Sequence, residues 1–170
     1  MRPFAIAALL VLAHAPAVFC EAPRGPWARF KPGSFVKTKT VTAVTVGAHK
    51  VETVTEITQK LVEVKGNRAT LETTASMSGV PRPTRTRSQI SLKEPLPAPA
   101  GPRRKSGKTL LTVAGHVLHC DWAETEADMA GRRTVIRTWT SPEVPGGVAM
   151  TLSKNDLMVS TMEVVAFEAR

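Results

Sequence analysis

The chain has 170 residues, 42% hydrophobic and 5% aromatic, with 23 Lys and Arg against 14 Asp and Glu for a formal charge of +9. That length suits one domain around a single core, and the apolar share excludes a chain that stays disordered for want of anything to bury. Two cysteines are too few for a fold stapled by disulfides.

At the amino end Arg2 precedes an apolar run from Phe4 to Ala13 and then small residues, the layout of a secretory signal peptide. The run is too short to span a bilayer, and no later segment is long and apolar enough to do so. Ala15 and Ala17 satisfy the small-x-small rule for cleavage after Ala17, which makes residues 1–17 the leader; cleavage after Cys20 is the alternative. Phe19 stands where a lipoprotein signal needs a small residue, so lipid attachment at Cys20 is disfavoured. The expectation is a soluble exported protein, periplasmic or extracellular. Loss of Arg2 with the leader leaves 22 basic against 14 acidic side chains, a charge of +8. Outside the cell such an excess points to an anionic envelope surface, lipid headgroups or acidic polymers before nucleic acid, with plain solubility charge as the simpler reading. Cleavage after Ala17 would keep both Cys20 and Cys120, which could then form a disulfide in an oxidising compartment. Otherwise Cys120 is alone, and a lone cysteine among apolar neighbours is an inert core residue.

Residues 18–33 form a Pro-rich segment (Pro23, Pro26, Pro32), and residues 34–170 read as a single β domain. From Val36, the set Val36, Thr38, Thr40, Thr42, Val44 and Val46 carries no charge while Lys37 and Lys39 lie opposite, the pattern of a half-buried strand. Val51 to Val64 alternates imperfectly and also approximates a helical stripe; its β-branched load favours a strand, with a bulge near Gln59 where the phase slips. Gly66-Asn67 is a two-residue hairpin signal, followed by alternation through Ala69, Leu71, Thr73, Ala75 and Met77. The next run sets Thr84, Thr86, Ser88, Ile90 and Leu92 against Arg85, Arg87, Gln89, Ser91 and Lys93. Residues 94–108 hold four prolines with Arg103, Arg104, Lys105 and Lys108, and read as a basic loop. A hairpin turning at Ala114-Gly115 pairs Val113 with His116 and gathers Leu111, Val113, Leu118, Cys120 and Trp122 on one face. Asp121, Glu124, Glu126 and Asp128 read as an acidic loop ending near Gly131.

The segment Val135 to Leu152 predicts a strand, a rigid corner and a second strand. Pro142 and Pro145 exclude a helix there and Gly146-Gly147 permits positive φ. Trp139 lies just before the corner and Val148, Met150 and Leu152 alternate just after it. A final strand covers Leu157 to Phe167, after a turn at Asn155-Asp156. The whole predicts an all-β fold: a single antiparallel curved sheet, half-barrel or barrel of about eight to nine strands. Its uncharged faces are rich in Thr, whose hydroxyls either bond to neighbouring strands or line a partly polar cavity in which Thr40 and Thr73 would stand.

No motif rises to an enzyme signature. His116, His119, Cys120 and Asp121 have metal-ligand chemistry, but strand alternation puts His116 and Cys120 on one face and His119 and Asp121 on the other, so no metal is expected. Gly101 to Thr109 has five residues between its glycines where a phosphate-binding loop has four. Glu124, Glu126 and Asp128 lack the closing Glu of a calcium loop. No cofactor is implied.

The run PGSFVK opening the first strand, the hairpin TLLTVAGHVLHC and the stretch WTSPEVPGGV together resemble a family of uncharacterised exported bacterial β-rich proteins. The likeness covers most of the chain after Lys31 and is most specific from Trp139 to Val148. More distantly, the all-strand exported plan is similar to the LolA-like periplasmic lipoprotein carriers, which implies a curved sheet that holds acyl chains. The function expected is a non-enzymatic exported binding module for a lipid or other apolar ligand. The alternative is a structural or interaction protein of the envelope acting through Arg85, Arg87, Lys93, Arg103, Arg104 and Lys105. Amino-terminal sequencing of the exported protein should start at Val18, or at Glu21 for the alternative cleavage. An intact Met1 or a diacylated Cys20 would contradict soluble export.

Overall fold

The computed structural model describes residues 25–93, 102–129 and 131–170. The leader, Cys20 and residues 94–101 of the Pro-rich basic loop lie outside these. Nine strands follow in order: β1 (Phe35–Val46), β2 (His49–Lys65), β3 (Arg68–Met77), β4 (Thr84–Ser91), β5 (Arg103–Val113), β6 (His116–Met129), β7 (Arg132–Thr140), β8 (Val148–Lys154) and β9 (Met158–Glu168). They form one antiparallel sheet in the order β4-β3-β2-β1-β9-β8-β7-β6-β5. Two meanders are thus joined by the pairing of the first strand with the last, from Val36 opposite Phe167 to Val44 opposite Met158. Directions alternate across the sheet, so the edge strands β4 and β5 run the same way. Antiparallel pairing cannot close that gap, and the sheet stays open and curved, with β5 approaching β9.

Turn chemistry places the hairpins. Lys65 faces Arg68 across Gly66-Asn67, and Val113 faces His116 across Ala114-Gly115. Both residues of the latter turn have positive φ, 50° at Ala114 and 81° at Gly115, the mirror-image turn whose twist suits antiparallel strands. The β2 bulge falls between Leu61 and Glu63 rather than near Gln59.

Two segments depart from expectation. The strand β5 starts at Arg103, so residues 103–108 are paired with β6 instead of looping out; Lys105 faces Glu124 and Lys108 faces Asp121. The acidic run is likewise strand: β6 continues through Asp128 because β7 meets it with bases, Glu124 facing Arg137 and Asp128 facing Arg133, with an ion pair from Arg133 to Glu126. Opposite charges across a ladder stabilise a strand that its own sequence would leave in solvent.

The core lies towards one end of the sheet. Trp27 and Phe30 come from the turns ahead of β1 and share the core with Val36, Leu61, Leu71, Leu118, Val144 and Val164. Backbone bonds stitch these turns down, Gly25 N to Leu92 O at 2.7 Å and Gly33 N to Leu61 O at 2.8 Å. Between β7 and β8, Pro145 and Val144 are buried and Pro142 is exposed. A Cβ on Gly146 would stand 3.5 Å from Trp27, so the ring seated against this corner is Trp27, while Trp139 lies opposite Trp122 and Met150. Ala114 is the one non-glycine residue with positive φ among the described residues, and its Cβ costs roughly 1–2 kcal/mol there. Ala114→Asn should raise stability by about 0.5–1 kcal/mol in urea titration, since Asn tolerates this conformation; an unchanged or lower midpoint would refute the turn geometry.

Candidate ligand-binding groove

Residues directly opposite each other on antiparallel strands share a face, so register alone sorts the sheet into two. One face is hydroxyl-rich. Across it run Thr53, Thr42, Ser160 and Ser153, and beside them Thr55, Thr40, Met162, Thr151 and Thr138. Thr42 and Ser160 hydrogen-bond at 2.8 Å, and Thr38 donates to Ile57 O at 3.4 Å. Thr40 and Thr73 both belong to this face but stand in different rows, opposite Thr55 and Gln59 respectively. Neither lines a cavity described below.

The opposite face carries the grooves. A cavity of about 330 Å³ is lined by Val41, Ala43, Leu157, Val159 and Thr161 and by the charged Lys50, Glu52 and Asp156. A second, of about 450 Å³, is lined by Val135 and Leu152 together with Glu124, Arg133, Arg137, Lys154 and Asn155. The two abut: Leu152 is the direct partner of Thr161, and Lys154 of Val159. Together they make a trough from β7 across β8, β9 and β1 to β2, four inter-strand steps or about 19 Å. Strand alternation in β1 accounts for its floor, because Val41 and Ala43 follow Lys37 and Lys39 on the same side. The sequence signal was that switch from basic to apolar along one face, which the Thr-rich opposite face overshadowed.

Electrostatics at the margin are uneven. Arg137 gives Nη2 to Glu124 Oε2 at 2.5 Å, with its guanidinium 5.0 Å from the Trp122 ring centre and 5.8 Å from that of Trp139. The Trp122 indole in turn lies over Gly107, where a Cβ would come within 2.9 Å of Nε1. That is why a glycine interrupts strand β5 at this point. Arg132 pairs with Asp156. Among the described residues Lys50 and Lys154 take part in no ion pair, so they are the cations open to a ligand.

The basic candidates are scattered and partly neutralised. Arg85 and Arg87 lie on the edge strand β4, and both bind Glu72, at 2.5 and 3.0 Å. Their side chains are 65% and 64% exposed while Glu72 is only 12% exposed, so one carboxylate offsets half of the charge of these two arginines. Lys93 is exposed beyond the end of β4, whereas Arg103, Arg104 and Lys105 belong to β5 at the other edge of the sheet. They do not form one patch with Arg85 and Arg87 by strand pairing. Cys120 carries a free, buried thiol whose pKa is pushed up by burial and then by the charges of Glu143 and Asp121, which suits an inert core residue. His119 and Asp121 lie on the face opposite His116 and Cys120.

No protein-family model matches the chain, and no curated protein matches it. Among solved structures, a LolA superfamily protein from Nitrosomonas europaea is similar at 11% identity over 86% of this chain and 90% of that one, with a TM-score of 0.21.

Hydrogen bonds from Arg85 and then Arg87 hold the Glu72 carboxyl below its ordinary value of 4.5. A carboxyl depressed on folding adds stability that is present above its unfolded pKa and is lost as pH falls through the folded value. Wild type should therefore exceed Glu72→Gln in urea midpoint at about pH 7, with the gap closing below about pH 4.5. A gap that is the same at both ends of the titration would remove Glu72 from the account.

Proposed function

We propose that the protein is an exported, non-enzymatic binding module whose trough takes an anionic amphiphile. The alkyl chain lies along Val41, Ala43, Val159, Leu152 and Val135, and the acidic head meets Lys154 or Lys50. The diagonal run of apolar side chains Val135, Leu152, Val159, Ala43 and Val41, between Lys154 and Thr161, is the observation that carries this reading: large apolar side chains on an open sheet face cost free energy in water, and covering them returns roughly 25 cal/mol per Å². Cavities of 330 and 450 Å³ are each within the size range of small-molecule sites. The competing reading, an envelope interaction protein acting through Arg85, Arg87, Lys93, Arg103, Arg104 and Lys105, retains the exposed guanidiniums of Arg85 and Arg87, half of whose charge Glu72 offsets.

Face-specific substitutions on one strand test it. Ala43→Phe fills the trough, while Thr40→Phe adds the same bulk to the other side of β1. Displacement of a fluorescent long-chain fatty acid should weaken by about tenfold or more with Ala43→Phe, stay within about twofold with Thr40→Phe, and survive added salt better than a purely electrostatic contact, which is screened beyond about 10 Å at 0.1 M. Lys154→Glu should weaken binding at low salt and matter less at high salt. Loss of binding with Thr40→Phe but not Ala43→Phe would move the ligand to the Thr-rich face, and no binding by wild type would end the reading.

A further inference from the structure

The far end of β9 holds a third cavity, which the trough does not use. Phe167 is eight residues along the strand from Val159, about 26 Å away. Four distant segments converge there: the turn carrying Arg29 and Phe30, the hairpin tip at His116, the Pro corner at Glu143, and the end of β9 at Phe167. The space is about 450 Å³. Its apolar wall is aromatic, with the His116 and Phe167 rings 5.0 Å apart and tilted at 52°, and Phe30 buried beside them.

Two opposite charges at this cavity go unmatched. Arg29 sits with its guanidinium 5.9 Å from the Phe30 ring centre, and Glu143 stands at the first turn of the corner; among the described residues neither takes part in an ion pair. Arg170, which also lines the cavity, is by contrast paired with Glu168 at 2.7 Å. The backbone that presents them is already held. Phe30 N bonds Trp27 O at 3.2 Å, Lys31 N bonds Arg170 O at 2.9 Å, Arg170 N bonds the buried Ser34 hydroxyl at 3.0 Å, and Glu143 N bonds the Ser141 hydroxyl at 3.3 Å. A ligand would therefore meet walls that need little ordering, which lowers the cost of binding.

We propose that this cavity is a second binding site, for a small zwitterion with an aromatic or bulky apolar body, of which a free aromatic amino acid is the simplest example. Its carboxylate would pair with Arg29, where a guanidinium fork matches two oxygens. Its ammonium would pair with Glu143, and its ring would lie against Phe30 and Phe167. A fully anionic or fully cationic ligand satisfies one charge and leaves the other facing the cavity.

The test uses three probes in NMR titrations of the mature protein: L-phenylalanine, N-acetyl-L-phenylalanine (no cation) and L-phenylalanine amide (no anion). L-Phenylalanine should give saturable shifts confined to residues around 29–30, 116, 143 and 167, and each single-charge analogue should bind about tenfold more weakly or worse. Arg29→Ala should erase the advantage of L-phenylalanine over its amide, and Glu143→Gln its advantage over the N-acetyl form. Both positions are exposed, and unchanged signals elsewhere verify that the variants fold. Equal binding of all three probes, shifts scattered over the sheet or the trough, or failure of L-phenylalanine to saturate would overturn the site. A fatty acid in the trough should leave the titration unchanged, so this result and that of the trough can fail separately.

Discussion

The nine-stranded sheet depends on the ladder between β1 and β9. Each half of the chain builds its own meander from local hairpins, and only the pairing of Thr40 with Met162 and its neighbours makes them one sheet. That contact joins residues about 120 positions apart, so its loop-closure entropy is the largest among the ladders, although such cost grows only logarithmically with length. In return it sets Val41 beside Thr161 and Ala43 beside Val159, creating the middle of the trough from residues that are unremarkable in their separate strands. The bulge between Lys37 and Thr38 then re-aims the end of β9, bringing Phe167 opposite Val36 in the core.

The division of labour between the faces follows from how each satisfies its polar groups. On the trough side, charges are matched across ladders: Lys37 with Glu56, Arg85 and Arg87 with Glu72, Arg137 with Glu124. Between these pairs Val135, Leu152, Val159, Val41 and Ala43 supply the apolar part of the trough, with Lys154 among them. On the other face hydroxyls bond along the sheet, and Asn155 Nδ2 donates to the buried Thr134 hydroxyl at 3.1 Å. One exception stands out there. The Thr125 hydroxyl is buried without a partner among the described residues, an arrangement that costs about 1–3 kcal/mol.

Much of the fold was legible because it is local. Gly66-Asn67 and Ala114-Gly115 announce their hairpins, and the alternation from Val36 to Val46 gives a strand and its two faces without reference to anything else. What failed to show was whatever depends on a partner strand. Glu124, Glu126 and Asp128 look like a solvated loop until Arg133 and Arg137 arrive from β7, and Gly107 looks like a loop glycine until Trp122 is laid over it. The same limit explains the candidate site. Alternation says that Thr40 and Val41 point to opposite sides, but the trough is defined by the neighbours β9 and β8, and no local pattern in β1 names them.

Methyl NMR with a nitroxide-bearing stearate would report which face of the joined sheet the alkyl chain touches. Paramagnetic broadening is expected at the methyl signals of Val41, Ala43, Val135, Leu152 and Val159, with those of Thr40, Thr42 and Leu71 spared. Broadening centred on Thr40 and Thr42, or spread evenly over both faces, would contradict binding in the trough.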